Sequence, residues 1–410
     1  EIPMTYASGA FGQLRYIPEV TQNVTPVAGN GVNLRVTNPT LKASVKSVKS
    51  NEISSTRMVS GSTNVDIDVS GGFDFELSGK EYDPFIEASV YGAFAHYGTN
   101  GLGSTFSCTT TAGKITAGAA PTGGSAFTGL AAGSWFKLNP PAGASDTVKT
   151  YFADKWFKVA STTSTEITLD AATQISGAGL GITAVAGFSV TQSVVSNGNT
   201  AKFFTFEYDQ TDIAQLLQFR GMQTNSMDLK LDVGSIITGS FDFMGMSHGI
   251  TQTTTLPGSP VASQSLDPMN AVTDVGLVME NGANLLSAGS FIKSVSLNIA
   301  NNLRAQKAVG VFGNAGIGSG ELAVSGSLEV YFEDATYYSK WLNGTTTSLA
   351  IGMADQLGNG YLFEMDKVKF KDGGLKPGGK DSDVMLSLPF DAFYNAGTGR
   401  GIRITRAISA

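Results

Sequence analysis

Between Asn64 and Leu77 the chain alternates between apolar and polar residues. Val65, Ile67 and Val69 interleave with Asn64, Asp66 and Asp68, and beyond Gly71-Gly72 the residues Phe73, Phe75 and Leu77 interleave with Asp74 and Glu76. Successive side chains of a strand point to opposite faces. The pattern therefore predicts a long hairpin turning at Gly71-Gly72, with one apolar face and one face of carboxylates. Asp83-Pro84 then predicts a helix start, with Asp at the cap and Pro at the first helical position. Phe85, Ile86, Ala88 and Val90 supply its apolar stripe.

The same order of features returns later in the chain. Leu322, Val324, Leu328, Val330 and Phe332 alternate with Glu321, Glu329 and Tyr331, and Tyr337, Tyr338, Trp341 and Leu342 follow at helical spacing. Asn51-Glu52-Ile53 answers Asn301-Asn302-Leu303, Arg57-Met58-Val59 answers Lys307-Ala308-Val309, and Val69-Ser70-Gly71 answers Val324-Ser325-Gly326. Two similar strand–turn–strand–helix units in one chain are the signature of an internal duplication.

The remaining segments sort around these two units. Residues 1–40, with Pro18, Pro26 and Pro39, read as an N-terminal arm with one edge strand. Copy one takes 41–98 and resumes over 199–250. Residues 99–198 between them are rich in Gly, Ala and Thr. Strand patterns around Trp135, Trp156 and Ile167 predict an inserted small β-barrel there, since a loop of that length without a core of its own is improbable. Trp135 and Trp156 are expected in its core. The insert is expected to project outward as decoration, removable from Gly101 to Ser196 without loss of assembly. A polar connector spans 251–268, and copy two takes 269–410.

Composition agrees with a mainly β chain. Fifty glycines and only 15% charged residues among 410 favour turn-rich sheets over helical bundles. A net charge of −7 argues against a protein that grips nucleic acid by its phosphates, and suits a surface past which a polyanion slides. Cys108 stands alone, so neither an intrachain disulfide nor a cysteine zinc cluster can form. No apolar run is long enough to span a bilayer and no charged-then-apolar leader opens the sequence, so membrane insertion is not expected.

Catalytic chemistry finds no foothold. His96 and His248 lie far apart without ligand-spaced partners and read as surface or packing residues. Gly313–Gly320 lacks the Gly-Lys-Ser/Thr ending of a phosphate loop and reads as hairpin-tip chemistry. Asp66 and Asp68 share a strand face, yet they belong to a long alternating stretch rather than to a pocket. No catalytic residue, metal ligand or cofactor is assigned, and the chain is expected not to be an enzyme.

The stretches "STRMVSG…DIDVSGGFDFELSGKEYDPFIEASVYG" and "FRGMQTNSMDLKLDVGSIITGSFDFMG" resemble the tail tube proteins of long-tailed bacteriophages. "SVSLNIANNLRAQKAVG…GELAVSGSLEVYFEDATYYSKWLNG" resembles the same fold again. The resemblance implies tandem β-sandwich, barrel-segment domains, each with a flanking helix, whose strands join those of neighbours around a channel. Since most members carry one such fold and assemble as hexamers, two per chain imply homotrimeric, pseudo-hexameric rings. Stacked rings would form a tube in the virion tail, assembled in the host bacterial cytoplasm. Double-stranded DNA would pass through without tight binding. Neighbours would be the tail terminator, the baseplate and the tape measure. On this reading Asp66, Asp68, Asp74, Glu76, Glu321 and Glu329 line an acidic lumen.

Two other readings compete. One is a terminator, baseplate or contractile-injection ring of the same fold. The other is a carbohydrate-binding β-protein using Trp135 and Trp156 as sugar-stacking platforms.

Overall fold

The computed structural model describes the chain apart from residues 1–5, 54, 57, 100, 112, 119–126, 128, 176–181, 287–290, 373, 377, 378 and 410. It is mainly β, with three α-helices among the described residues. The elements used below are, in chain order, β1 (Gly12–Glu19), β2 (Lys42–Lys49), β3 (Ser62–Glu76) and α1 (Asp83–Ser89). The insert supplies β4 (Phe106–Thr111), β5 (Lys114–Ala117), β6 (Trp135–Asn139), α2 (Asp146–Ala153), β7 (Phe157–Thr162), β8 (Glu166–Leu169) and β9 (Val185–Thr191). Then come β10 (Ser193–Ser196), β11 (Phe203–Gln210), β12 (Gln215–Asp232), β13 (Thr238–Gly245) and β14 (Ser247–Thr251). The second half contains β15 (Val275–Glu280), β16 (Ile292–Ala300), β17 (Ala323–Tyr331), α3 (Thr336–Leu342), β18 (Thr346–Ala354), β19 (Gly360–Phe370), β20 (Gly374–Lys376), β21 (Met385–Ala392) and β22 (Arg403–Ala407).

Strand pairing is duplicated. In the first half the antiparallel order is β1–β11–β12–β13–β3–β2. In the second it is β15–β18–β19–β21–β17–β16. Even the irregularities match: β11 slips against β12 between Phe204 and Phe206, and β18 slips against β19 between Thr347 and Leu349. Each copy folds its ladder into two layers around apolar side chains. The long strand β12 serves both layers, pairing first with β11 and β14 and then with β13 and β16.

The β12–β16 pairing fuses the copies. It runs from Ser226↔Ala300 to Asp232↔Ser294 and joins eight strands, β2–β3–β13–β12–β16–β17–β21 and β20, into one sheet. One core fills the space behind it. Phe73, Phe75, Tyr82, Phe85, Phe206, Phe241 and Phe243 interlock in copy one, with Phe75 and Phe241 stacked at 4.9 Å and Phe206 and Phe243 edge-to-face at 4.9 Å. Leu328, Leu349, Tyr361, Phe363, Leu388 and Phe390 continue it through copy two.

The expected turn at Gly71-Gly72 is instead a bend inside one strand. β3 runs unbroken over 15 residues and pairs with β13 from Glu76 to Val69 without a change of register. Gly71 has a φ of +99°, and a Cβ on Gly72 would sit 1.7 Å from the carbonyl oxygen of Phe241. The glycines therefore allow close backbone approach rather than chain reversal. β3 forms its hairpin with β2 instead, paired from Lys42↔Ser70 to Lys49↔Ser62.

Asp83 also differs from expectation. It lies within α1, and Tyr82 occupies the cap position without a side-chain bond to the helix amides, its hydroxyl donating instead to the Arg35 carbonyl. The Asp83 carboxylate instead accepts from Tyr361 Oη at 2.6 Å and pairs with Arg406, both from copy two. Burial raises its pKa, against the pull of Arg406.

Gly12–Glu19, in the segment expected to hold an arm and one edge strand, is β1, paired with β11 over eight positions. The polar connector is strapped to copy one. Thr254 Oγ1 and the Thr255 amide donate to the buried Glu207 carboxylate at 2.7 and 3.0 Å, and the Gln264 amide donates to Glu81 at 2.8 Å.

In the insert, β4 to β9 close a six-stranded barrel with its own core of Phe106, Cys108, Phe136, Leu138, Phe157 and Phe188. Trp135 and Trp156 are not in that core. They point out of the barrel and pack on Leu277, Met279, Ala350, Leu362 and Ala407 of copy two, on the side away from the shared core. Trp135 Nε1 donates to Glu364 at 2.9 Å, and Arg403 and Arg400 close on the same carboxylate. β10 belongs to the copy-two layer through β22. Removing Gly101–Ser196 would strip that strand and uncover this apolar patch, so the packing does not support a freely removable decoration.

Candidate functional site

The eight-stranded sheet has one buried and one open face, set by the alternation along each strand. Val69, Phe73, Phe75, Met227, Leu229, Leu231, Val295, Leu297, Val324, Leu328, Leu386 and Leu388 point into the core. Between them, polar residues make the open face. Cross-strand register lines up Asp74, Ser240, Asp228, Asn298, Ser325 and Asp391 in one row that crosses both copies. Asn298 Nδ2 donates to Asp228 at 2.7 Å across the junction, and Asn38 Nδ2 donates to Asp74 at 3.0 Å.

Asp66, Asp68, Asp74 and Glu76 share this face along β3, and Glu329 joins them from β17. Glu321 does not take a place in the ladder: it is exposed in the loop before β17. Alternation on other strands adds carboxylates that the sequence reading passed over, namely Asp228 and Asp232 on β12, Asp242 on β13 and Asp391 on β21. The signal was present in "SMDLKLD" and "SFDF", where each acid falls between two apolar residues.

The face is not uniformly acidic. Lys307, from the copy-two loop, bridges Asp66 and Asp68 at 2.9 and 2.7 Å, and this bond holds the Asp66 carboxyl below the usual range. Lys230 pairs with Asp232 at 2.7 Å, Lys293 with Glu329 at 3.6 Å, and Lys371 with Asp391 at 2.5 Å. Acids without a basic partner in these pairs, Asp74, Glu76, Asp228 and Asp242, concentrate on copy one.

Nothing on this face converges as a catalytic centre does. A shallow groove on it is lined by Thr37, Asp74, Asp228, Lys230, Thr238 and Ser240, which offer neither a nucleophile–base pair nor a soft metal ligand. His248 packs its ring, tilted, against Phe219 and bonds the Gln218 carbonyl, and burial lowers its pKa. His96 Nδ1 meets Ser193 Oγ at 2.9 Å. Burial pushes the Cys108 thiol up to about 12. Among the described residues no group of three or more His, Cys, Asp and Glu is placed to hold a metal ion, and no helix is long and apolar enough to cross a membrane.

An extended sheet that fuses two like units, with one shallow groove and no converging catalytic groups on its open face, is architecture for assembly. Compared with curated proteins, the chain has no significant match. The family model of phage tail tube proteins matches residues 9–392, nearly the whole chain and both copies, so the chain belongs to the phage tail tube protein family.

Proposed function

We propose that this protein is the subunit of a phage tail tube, and that three copies close a pseudo-hexameric ring whose bore is the open polar face. The observation that carries this reading is the sheet that crosses both copies without interruption, apolar behind and polar in front. A ring of three chains joins three times eight strands. At about 4.8 Å between strands and a tilt of about 40°, such a barrel is about 150 Å round and about 48 Å across its backbone. That bore admits a duplex once side chains are in place.

Asp74, Glu76, Asp228 and Asp242 would then present fixed negative charge to passing phosphates, interspersed with the exposed Lys42 and Lys46 that β2 places on the same face. Like-charge repulsion keeps a polyanion from adhering to the wall. Rings stacked on one another would extend the conduit, with other tail proteins at its two ends.

Replacing Asp74, Asp228 and Asp242 together by Lys tests the wall directly. Tubes should still assemble, while DNA release slows and becomes salt-dependent. Release at the parent rate from fully assembled tubes would rule these carboxylates out as the channel wall.

A further inference from the structure

The molecule contains one junction between its copies, and it leaves both halves of a second one open. We infer that the ring closes by repeating the β12–β16 junction between chains, with β20 of one chain pairing antiparallel to β2 of the next. This inference rests on the ring reading above and specifies its contact.

The far half of β12 has β13 on one edge and β16 on the other. Its counterpart in copy two is β20, which pairs with β21 and, among the described residues, with no other strand. β16 lies between β17 and β12. Its counterpart β2 pairs, among the described residues, with β3 alone. One socket of this type is therefore filled within the chain, and the two halves of another are empty. Exposed strand edges present unpaired N–H and C=O groups that a second copy can satisfy.

The duplicated ladders also set the register. Leu229 faces Gly239 as Leu375 faces Leu386, and Leu297 faces Gly326 as Leu41, next to the Lys42↔Ser70 pair, lies against Gly71 in copy one. Because Leu229 pairs with Leu297 and Asp228 with Asn298, the interchain contact places Leu375 against Leu41 and Gly374 against Lys42. Burial shows what is missing. Leu229 and Leu297 are each 2% exposed, whereas Leu375 is 39% exposed and Leu41 only partly buried.

The helices repeat the contrast. α1 is buried, in part because Tyr361, Arg406 and Asn301 of copy two close on it. α3 has no buried residue, and its Leu342 is 68% exposed. The copy-one strand that corresponds to β22 is β14, whose Ile250 is 65% exposed. It supplies the matching apolar cover from the next chain. The Asp83–Arg406 ion pair has no charged counterpart there, since Thr336 and Gln252 stand at the equivalent positions. This part of the chain–chain contact is uncharged where the in-chain one is ionic. Successive head-to-tail contacts of this kind close a ring when the rotation permits.

The test is cross-linking in the full-length chain. Lys42→Cys with Gly374→Cys should join neighbours on oxidation or with a short bis-thiol reagent, giving a covalent trimer on a denaturing gel. Each single variant should stay monomeric, and buried Cys108 should stay silent. Asp228→Cys with Asn298→Cys is the in-chain control. Tubes that assemble and whose control pair closes, but whose Lys42/Gly374 pair does not, would overturn this junction while leaving the tube reading intact. A cross-linked closed ring of another size would uphold the junction and defeat the trimer. In parallel, Leu375→Asp should fold with the parent circular dichroism but remain monomeric; rings from that variant would also overturn the junction.

Discussion

Trp135→Ala separates a docked barrel from a loosely hung one. Trp135 lies on β6, but its ring faces copy two, 1% exposed, with Lys158 at 5.3 Å from the ring centre and Glu364 bonded to Nε1. An aromatic of this kind removes about 150–250 Å² from water. At about 25 cal/mol per Å² that amounts to about 4–6 kcal/mol. Incomplete loss of contact brings the expected cost to about 3–5 kcal/mol, the usual range for a buried aromatic cut to Ala. The docking equilibrium should therefore weaken by about two to nearly four powers of ten. Phe136, Leu138, Phe157 and Phe188 still fill the barrel, so the barrel itself should survive. Hydrogen exchange reads the two regions separately. Exchange should accelerate in β18, β19 and β22 while β4 and β9 keep their protection. Protection lost inside the barrel but kept in copy two would refute the assignment of Trp135 to the interface.

Three further outcomes follow from the same packing. Burial pulls the Lys137 ammonium down to about 7, so between that value and the ordinary lysine pKa the unfolded chain binds the extra proton and stability rises with pH, by at most about 1.4 kcal/mol per unit. Lys137→Met should flatten that rise and gain most below pH 7; parallel melting curves for the two proteins from pH 7 to 10 would contradict it. Gly72→Ala drives a Cβ into the Phe241 carbonyl and should cost more than about 4 kcal/mol, whereas Gly61→Ala, with nothing within 4 Å, should be near neutral in urea unfolding. Lys307→Ala should return the Asp66 carboxyl toward its ordinary titration, as followed by carbon NMR; an unchanged curve would show that the Lys307 bond does not hold it.

Much of the open face was legible because strand periodicity is local: Asp66 to Glu76 alternate in sequence and do so in space. Local pattern gave the wrong meaning to Gly71-Gly72. A glycine pair marks a turn or a close approach equally well, and only the Phe241 and Thr40 carbonyls, brought in by neighbouring strands, decide between them. Trp135 was misassigned for a related reason. β6 is buried on both faces, so alternation there does not tell the barrel core from the docking surface. Lys307 reaching Asp66 across 241 positions could not be read from either segment. The duplication survived low identity because strand order and bulges are kept where side chains are not.

A cryo-electron microscopy map of the polymerised protein tests the central claim most directly. It should show six like units per ring from three chains, with Asp74, Asp228 and Asp242 on the inner wall and the barrel outside. A map with those residues facing outward, or with the two halves of the chain folded differently, would contradict the account.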